Sequence, residues 1–331
     1  MLKINKETIN LQQTLECGQV FSYKKTAFGF CIYSADSLAI AIEHADCYEI
    51  LTPSPEYFAH YFDLETDYNS IKNRLKSTLP ASTSTQKLLE TAINFGAGIR
   101  ILRQNPLETL VSFCVSANNN IKRITASLFT LRENYGEFVA VSEGFAFKVF
   151  CLLTKLYIKN NPQACQKTAL EWAMSELAVG GFVKKGVKFG FFAFPSLSQL
   201  TKITEADFRA MGLGYRAPQI VKLIAQLDDL AGKNDNELGI FSELASLSTA
   251  DLRSRLIEFS GVGPKVADCV MLFGFGRGDV FPVDTWIAKV FRAYFGDETD
   301  RVKMRRRLVE LFGDLSGYAQ QFLFYFARSA K

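Results

Sequence analysis

No run of apolar residues in this chain is long enough to cross a membrane. A helical span needs about 18 consecutive apolar residues, and the longest comparable stretches, around Phe189 to Phe194 and Val270 to Phe275, fall far short. Nor does a basic segment feed a continuous hydrophobic one between Met1 and Leu15, so no secretory signal is visible and a soluble intracellular protein is expected. The cysteines, at positions 17, 31, 47, 114, 151, 165 and 269, are odd in number and contain no C-x-x-C pair. Neither a disulfide framework nor a zinc finger is implied. Histidine is scarce: His44 and His60 lie in a stretch that reads as strands followed by a short helix, where an ordinary structural histidine is the better reading than a metal ligand.

What is present is a length of 331 residues with 48% hydrophobic content, enough for a sizeable core in two domains or one elaborate one. The net charge of +4 is modest and unevenly spread. Residues 1 to 80 carry 7 cations against 10 anions, and the rest of the chain 31 against 24. One run, Arg301, Lys303, Arg305, Arg306 and Arg307, reads as a helix leading to Leu308 and Leu311. It is either a solvated helix face or a phosphate contact.

Between Val20 and Leu51, short segments rich in Ile, Tyr and Phe (Phe28 to Tyr33, Leu38 to Ile42, Tyr48 to Leu51) alternate with turn-like sequences and predict an antiparallel meander. From about Pro55 the pattern turns helical. Asn105-Pro106-Leu107-Glu108 supplies an N-cap, a proline at the first helical position and an acid at the third, predicting a helix to about Val115. A second is expected from near Asn119 to Tyr135-Gly136. The stretch from about 140 to 186 is expected to hold two extra helices, Phe145 to Ile158 and Pro162 to Val179, packed on the body without a catalytic part.

The most informative segment is a helix beginning at Ser248-Thr249-Ala250-Asp251, then Gly261-Val262-Gly263-Pro264-Lys265, then a second helix with Val266, Val270 and Met271. Ser248 and Asp251 predict a capping box, and Pro264 suits a first helical position. Backbone amides at such a glycine hairpin can hold a phosphate oxygen directly or through a bound cation, a sequence-independent grip on a nucleic-acid backbone. Lys265 falls in the first turn of the second helix, where the dipole disfavours an ammonium ion and favours the neutral, nucleophilic amine. On position alone a solvated charge is the better reading, and the segment that follows reverses it. Nineteen residues on, Pro282-Val283-Asp284-Thr285-Trp286 opens another amphipathic helix, to Phe295. Asp284 reads most simply as its N-cap. Aimed at a hairpin lysine, it could also stabilise positive charge developing on a sugar ring.

Gly261 to Cys269 followed by Pro282-Val283-Asp284 resembles the helix-hairpin-helix DNA glycosylases, specifically the 8-oxoguanine DNA glycosylases of the eukaryotic type. Asn118-Asn119-Asn120-Ile121-Lys122-Arg123, Gly212-Leu213-Gly214-Tyr215-Arg216-Ala217, Cys17-Gly18-Gln19-Val20-Phe21 and Ala319-Gln320 with Phe324 extend the resemblance over nearly the whole chain. It implies an α+β fold: an N-terminal antiparallel β domain (1–95, with flanking helices) joined to a mostly helical glycosylase body (96–331, hairpin at about 248–275, extra segment at about 140–186). It implies a DNA N-glycosylase with abasic-site lyase activity, acting as a monomer on double-stranded DNA that carries 8-oxoguanine, and also formamidopyrimidine guanine, opposite cytosine. The compartment would be cytoplasm or nucleoid in a prokaryote and nucleus in a eukaryote.

Carried over residue by residue, the resemblance implies that Lys265 attacks C1′ and forms a Schiff base while Asp284 stabilises the sugar cation. The Gly18 carbonyl would accept the N7–H that 8-oxoguanine has and guanine lacks, Gln320 would bind the Watson–Crick edge, and Cys269 and Phe324 would sandwich the ring. Tyr215 would be the wedge and Asn118 the void filler, with Arg123 and Arg216 on the orphaned cytosine. Gly261, Val262 and Gly263 would hold phosphate, with no catalytic metal and no cofactor beyond a structural cation at the hairpin. Each residue keeps a plain alternative: Tyr215 a core aromatic, Phe324 one of several packed phenylalanines, Cys269 a small buried apolar group. Two features depart from the family: Trp286 stands where its members usually have histidine, and the 140–186 segment is longer than their connection. Other readings are an endonuclease III relative, whose iron–sulfur cluster is excluded because no cysteine follows Cys269, and a noncatalytic DNA-binding scaffold.

Overall fold

The structure is a computed structural model that describes residues 1–232 and 237–329; the last two residues expected in the helical body lie outside it. The N-terminal part holds an antiparallel five-stranded sheet of β1 (Leu2–Asn5), β2 (Tyr23–Thr26), β3 (Gly29–Ser34), β4 (Ser37–Glu43) and β5 (Cys47–Leu51), in the order β1-β5-β4-β3-β2. The expected meander supplies its three central strands. Every residue of β3 is buried, which requires cover on both faces of the sheet. Phe30 and Ile32 point to one side and pack with Leu11, Leu15 and Phe58. Cys31 and Tyr33 point to the other and pack with Val149, Leu153, Ala173 and Leu177 of the 140–186 segment.

That segment differs from its expectation. Its helices, Glu143–Asn160 and Gln166–Val179, are present, with Pro162 left in the connection between them. They are joined by a second antiparallel sheet, β6 (Phe138–Ala140), β7 (Val183–Lys185) and β8 (Lys188–Phe192), in the order β6-β8-β7. The strand signal was hidden because Lys188 to Phe192 is a phenylalanine-rich run with a glycine and no polar alternation, equally readable as buried helix. Gly186 at φ +61° turns β7 into β8, in a left-handed backbone region that glycine adopts without a Cβ clash.

The body is helical. Helix Pro106–Ser116, capped by Asn105 as expected, packs against Pro264–Gly274 at the centre of the largest hydrophobic core. A second core joins helices Tyr68–Thr78 and Ser84–Phe95 to the C-terminal helices Thr285–Tyr294, Arg301–Phe312 and Ser316–Ser329. Sheet and body are tied by a buried polar knot. Glu108 accepts hydrogen bonds from Ser22 Oγ, the Ala35 amide (2.7 Å) and the Arg132 guanidinium, and Arg132 also reaches the Ala35 and Phe192 carbonyls. A buried pair with this many partners is costly to break on one side, by about 3–5 kcal/mol.

Candidate active site

Gly261 adopts φ +81° and Gly263 caps the helix Pro264–Gly274, so the chain reverses between two helices that both pack on the core. Val262 is itself a core residue, and what the hairpin presents outward is backbone. A Cβ at Gly263 would meet nothing within 4 Å, so the peptide stands in open space. On the preceding helix the capping box is incomplete. Ser248 Oγ accepts the Asp251 amide (3.1 Å) and donates to the Asp251 carboxylate (2.6 Å).

Lys265, at the second position of its helix, holds its ammonium 5.1 Å from the centre of the Phe113 ring. Asp284 is the N-cap of helix Thr285–Tyr294, and its Oδ1 accepts the amides of Trp286 (3.0 Å) and Ile287 (2.9 Å). Burial pushes the Asp284 carboxyl above the usual range, opposed by those amides and by the charges of Lys265 and Arg301. Both residues line one cleft of about 830 Å³. Cys269, one turn beyond Lys265, is buried beside it, and its thiol is pushed up to about 11, chiefly by burial. It is therefore a neutral, soft contact surface, not a nucleophile.

The opposite side of the cleft is made by two termini. Gly18 sits at φ +87°, and a Cβ there would strike Arg328 Nη1 at 2.9 Å and the Phe324 ring at 3.2 Å, so only glycine fits. Its peptide is fixed from both sides. Gln19, fully buried, binds the Arg100 and Thr14 carbonyls and the Leu102 amide, Gln321 donates to the Cys17 carbonyl, and Arg328 to the Glu16 carbonyl. Phe324 lines the cleft beneath the Arg328 guanidinium, 5.3 Å from its ring centre. Gln320, one turn earlier on the same helix, is buried, and its Oε1 has no hydrogen-bond partner among the described residues. A buried amide oxygen left open is unusual in a finished core and marks a place for a donor.

The remaining candidates come from two loops, of which the asparagine loop and the start of its helix line the cleft. Asn118 adopts φ +49°, a left-handed conformation that asparagine tolerates better than most residues, and lines the cleft with Asn119, Asn120 and Arg123. Tyr215 stands 57% exposed on the short helix Gly214–Arg216, an unusual exposure for a tyrosine ring and the opposite of a core aromatic. Arg216 is buried, donating to the Ala117 and Asn118 carbonyls and lying against the Tyr215 ring, so it braces the asparagine loop. Arg123 is exposed, 3.5 Å from the Gly212 carbonyl.

The basic run at 301–307 divides. Arg301 lines the cleft, whereas Arg305 turns inward to Asp268 at 2.7 Å and Arg307 covers the Phe291 ring. Phe113, Arg301 and Arg328 were not anticipated as cleft residues. Arg328 follows Phe324 by four on one helix and could have been found by that spacing; Phe113 and Arg301 arrive by tertiary packing alone.

A glycine hairpin between two helices, with a lysine just after it and an aspartate cap facing the same cleft, is the architecture of the helix-hairpin-helix DNA glycosylases. The family model for the 8-oxoguanine DNA glycosylase N-terminal domain matches residues 1–110. The solved structure of "MBOgg1 in complex with low affinity DNA ligand" is 31% identical, with a TM-score of 0.74, covering 99% of this chain and 94% of that one. The Clostridium acetobutylicum 8-oxoguanine glycosylase/lyase, solved with dsDNA containing cytosine opposite 8-oxoG, is 29% identical, also with a TM-score of 0.74, over 98% and 93% of the two chains. The Saccharomyces cerevisiae N-glycosylase/DNA lyase is 32% identical over 202 residues, which are 58% of this chain but 41% of the yeast protein's length. The chain belongs to the 8-oxoguanine DNA glycosylase family.

Proposed function

We propose that the protein excises 8-oxoguanine, and with it formamidopyrimidine guanine, from duplex DNA opposite cytosine, and then cleaves the strand at the resulting abasic site. The carrying observation is that Lys265 and Asp284 line one cleft with Gly18 and Phe324. A scaffold that only gripped phosphate would need the hairpin amides and neither of the first two.

The damaged nucleotide leaves the stack, at a cost of a few kcal/mol, while Tyr215 fills the gap from one side and Asn118 occupies the void. Phe324 and Cys269 sandwich the ring, Gln320 offers its open amide oxygen to the Watson–Crick edge, and the clamped Gly18 carbonyl accepts the N7–H. Guanine presents an acceptor at that position, so two lone pairs would face each other; an unmatched buried polar contact costs about 1–3 kcal/mol. Lys265 Nζ then attacks C1′: the N–C1′ bond forms as the glycosidic bond breaks, the base departs with the bonding pair and takes up the proton that the lysine nitrogen gives up, and Asp284 stabilises the cationic sugar. Loss of the ring oxygen's bond to C1′ gives the Schiff base, which acidifies C2′ and permits β-elimination of the 3′ phosphate. Arg123 reads the orphaned cytosine, with Arg216 shaping the loop beneath it. Val262 between Gly261 and Gly263 sets the hairpin whose amides hold a phosphate, directly or through a cation.

A panel of duplexes carrying 8-oxoguanine, formamidopyrimidine guanine, oxidised pyrimidines or normal guanine, each opposite all four bases, tests this. We expect cleavage of the first two, fastest opposite cytosine. Preference for oxidised pyrimidines would support the endonuclease III-like alternative, and tight binding without cleavage of any duplex the scaffold.

A further inference from the structure

Helix Glu143–Asn160 has two apolar faces, and only one is used. Ala146, Val149 and Leu153 are buried against the five-stranded sheet. Phe147, Phe150, Cys151 and Ile158 recur at helical spacing on a second face. Beside them, helix Gln166–Val179 presents Leu170 and Met174, one turn apart. Together these stripes line a groove of about 640 Å³ floored by Phe189. Phe147 is 72% exposed, Leu170 44% and Met174 45%, whereas a helix apolar on all sides is ordinarily enclosed. The groove contributes nothing to the catalytic cleft, none of whose lining residues falls between Ile124 and Lys265.

Among the described residues, the charged side chains that line the groove have one sign. Lys155 and Lys184 line it, and no carboxylate does. Residues 138–192 hold seven lysines and three glutamates, a net +4 equal to that of the whole chain. Of those glutamates, Glu176 is engaged with the Ala27 amide at 2.7 Å. Two copies meeting through this face would bring like charges together, which disfavours self-association. Of the exposed residues lining the groove only Phe147 is aromatic, beside the aliphatic Leu170 and Met174, so successive unpaired bases would find no series of stacking platforms, which disfavours single-stranded nucleic acid.

We propose that this groove docks an amphipathic helix of a partner protein, with apolar anchors at i, i+4 and i+7 and acidic residues flanking them. Parallel helical stripes around an aromatic floor fit the helix-in-groove mode, and methionine at the rim adapts to varied anchors. The lysines set the polarity of the partner and steer its approach. Docking there leaves the cleft open, so the partner and damaged DNA bind together.

Selection from a display library of random helical peptides, on the full-length protein with depletion on the double variant L170E/M174E, identifies the ligand chemistry directly. Enriched sequences should carry apolar residues at helical spacing with net negative charge, and a synthetic copy should lose at least tenfold affinity for K155E/K184E. Both double variants should excise 8-oxoguanine at the wild-type rate, showing that the fold is intact. Enrichment of basic peptides, or of none depleted by L170E/M174E, overturns the proposal. So does sedimentation as a dimer that L170E/M174E dissolves, or binding to anionic lipid vesicles abolished by the same variant.

Discussion

One aspartate, Asp268, lies within the hairpin helix and another, Asp284, caps the helix that follows, and burial pushes both carboxyls above their ordinary range. Asp268 is closed off: Arg253 donates to Oδ1 at 2.9 Å and Arg305 to Oδ2 at 2.7 Å, pinning the helices Thr249–Ile257, Pro264–Gly274 and Arg301–Phe312 together. Asp284 has two amides on a single oxygen and opens on the cleft that Lys265 also lines. Asp268 is almost wholly buried and Asp284 only half-buried, and the two serve different ends. Where both oxygens are held by guanidinium groups the carboxylate is a rivet, and where only one oxygen is held it remains available for chemistry.

Exchanging the two aspartates' roles by mutation separates stability from turnover. Asp284→Asn keeps a competent N-cap, so the protein should fold normally while single-turnover excision of 8-oxoguanine falls on the order of 10³-fold or more. Asp268→Asn should do the reverse. The burial that raises the Asp268 carboxyl offsets part of the ion-pair attraction, so leaving two partly buried guanidinium groups without their carboxylate should cost about 1–3 kcal/mol in a denaturant titration, with excision by the remaining folded protein close to normal. A large turnover defect in a fully stable Asp268→Asn protein would break the distinction.

Arg123→Ala should lower the preference for cytosine over the other opposite bases by about 1–3 kcal/mol in relative kcat/KM, whereas equal loss against every base would make Arg123 structural. Arg301 and Arg305 sharpen the contrast within a single run of charge. Arg301→Ala should reduce the slope of DNA affinity against salt by about one with little change in Tm, and Arg305→Ala should lower Tm with the slope unchanged. The smallest effect is a pH dependence. Because the Asp284 carboxyl titrates higher folded than unfolded, its stabilising contribution is complete below the unfolded value and is lost as pH rises through the folded one. Asp284→Asn should therefore raise Tm at neutral pH, and the gain should vanish in acid, below the ordinary aspartate range.

Much of this was legible in the sequence where local rules act alone. Asn105-Pro106, Gly261-Val262-Gly263-Pro264 and Asp284 each announce a cap or a turn through chemistry that the neighbouring residues cannot override, and each stands at its expected position. The β6-β8-β7 sheet was not legible, because strands of three to five residues without polar alternation are too short to carry a period-2 signal. Within the site, the motifs named the residues but not their states. Arg216 lies buried under the asparagine loop and Tyr215 exposed above it, a division that depends on contacts nearly a hundred positions apart in the chain. The same holds for the basic run, whose members part ways only because Asp268 is in reach of one of them.

Covalent trapping addresses the role of Lys265 most directly. Borohydride added during reaction with a duplex containing 8-oxoguanine opposite cytosine should reduce the Schiff base and leave a stable protein–DNA adduct, which Lys265→Gln should abolish while still binding the duplex. An adduct that persists in Lys265→Gln at the wild-type yield would contradict the assignment and place the nucleophile elsewhere.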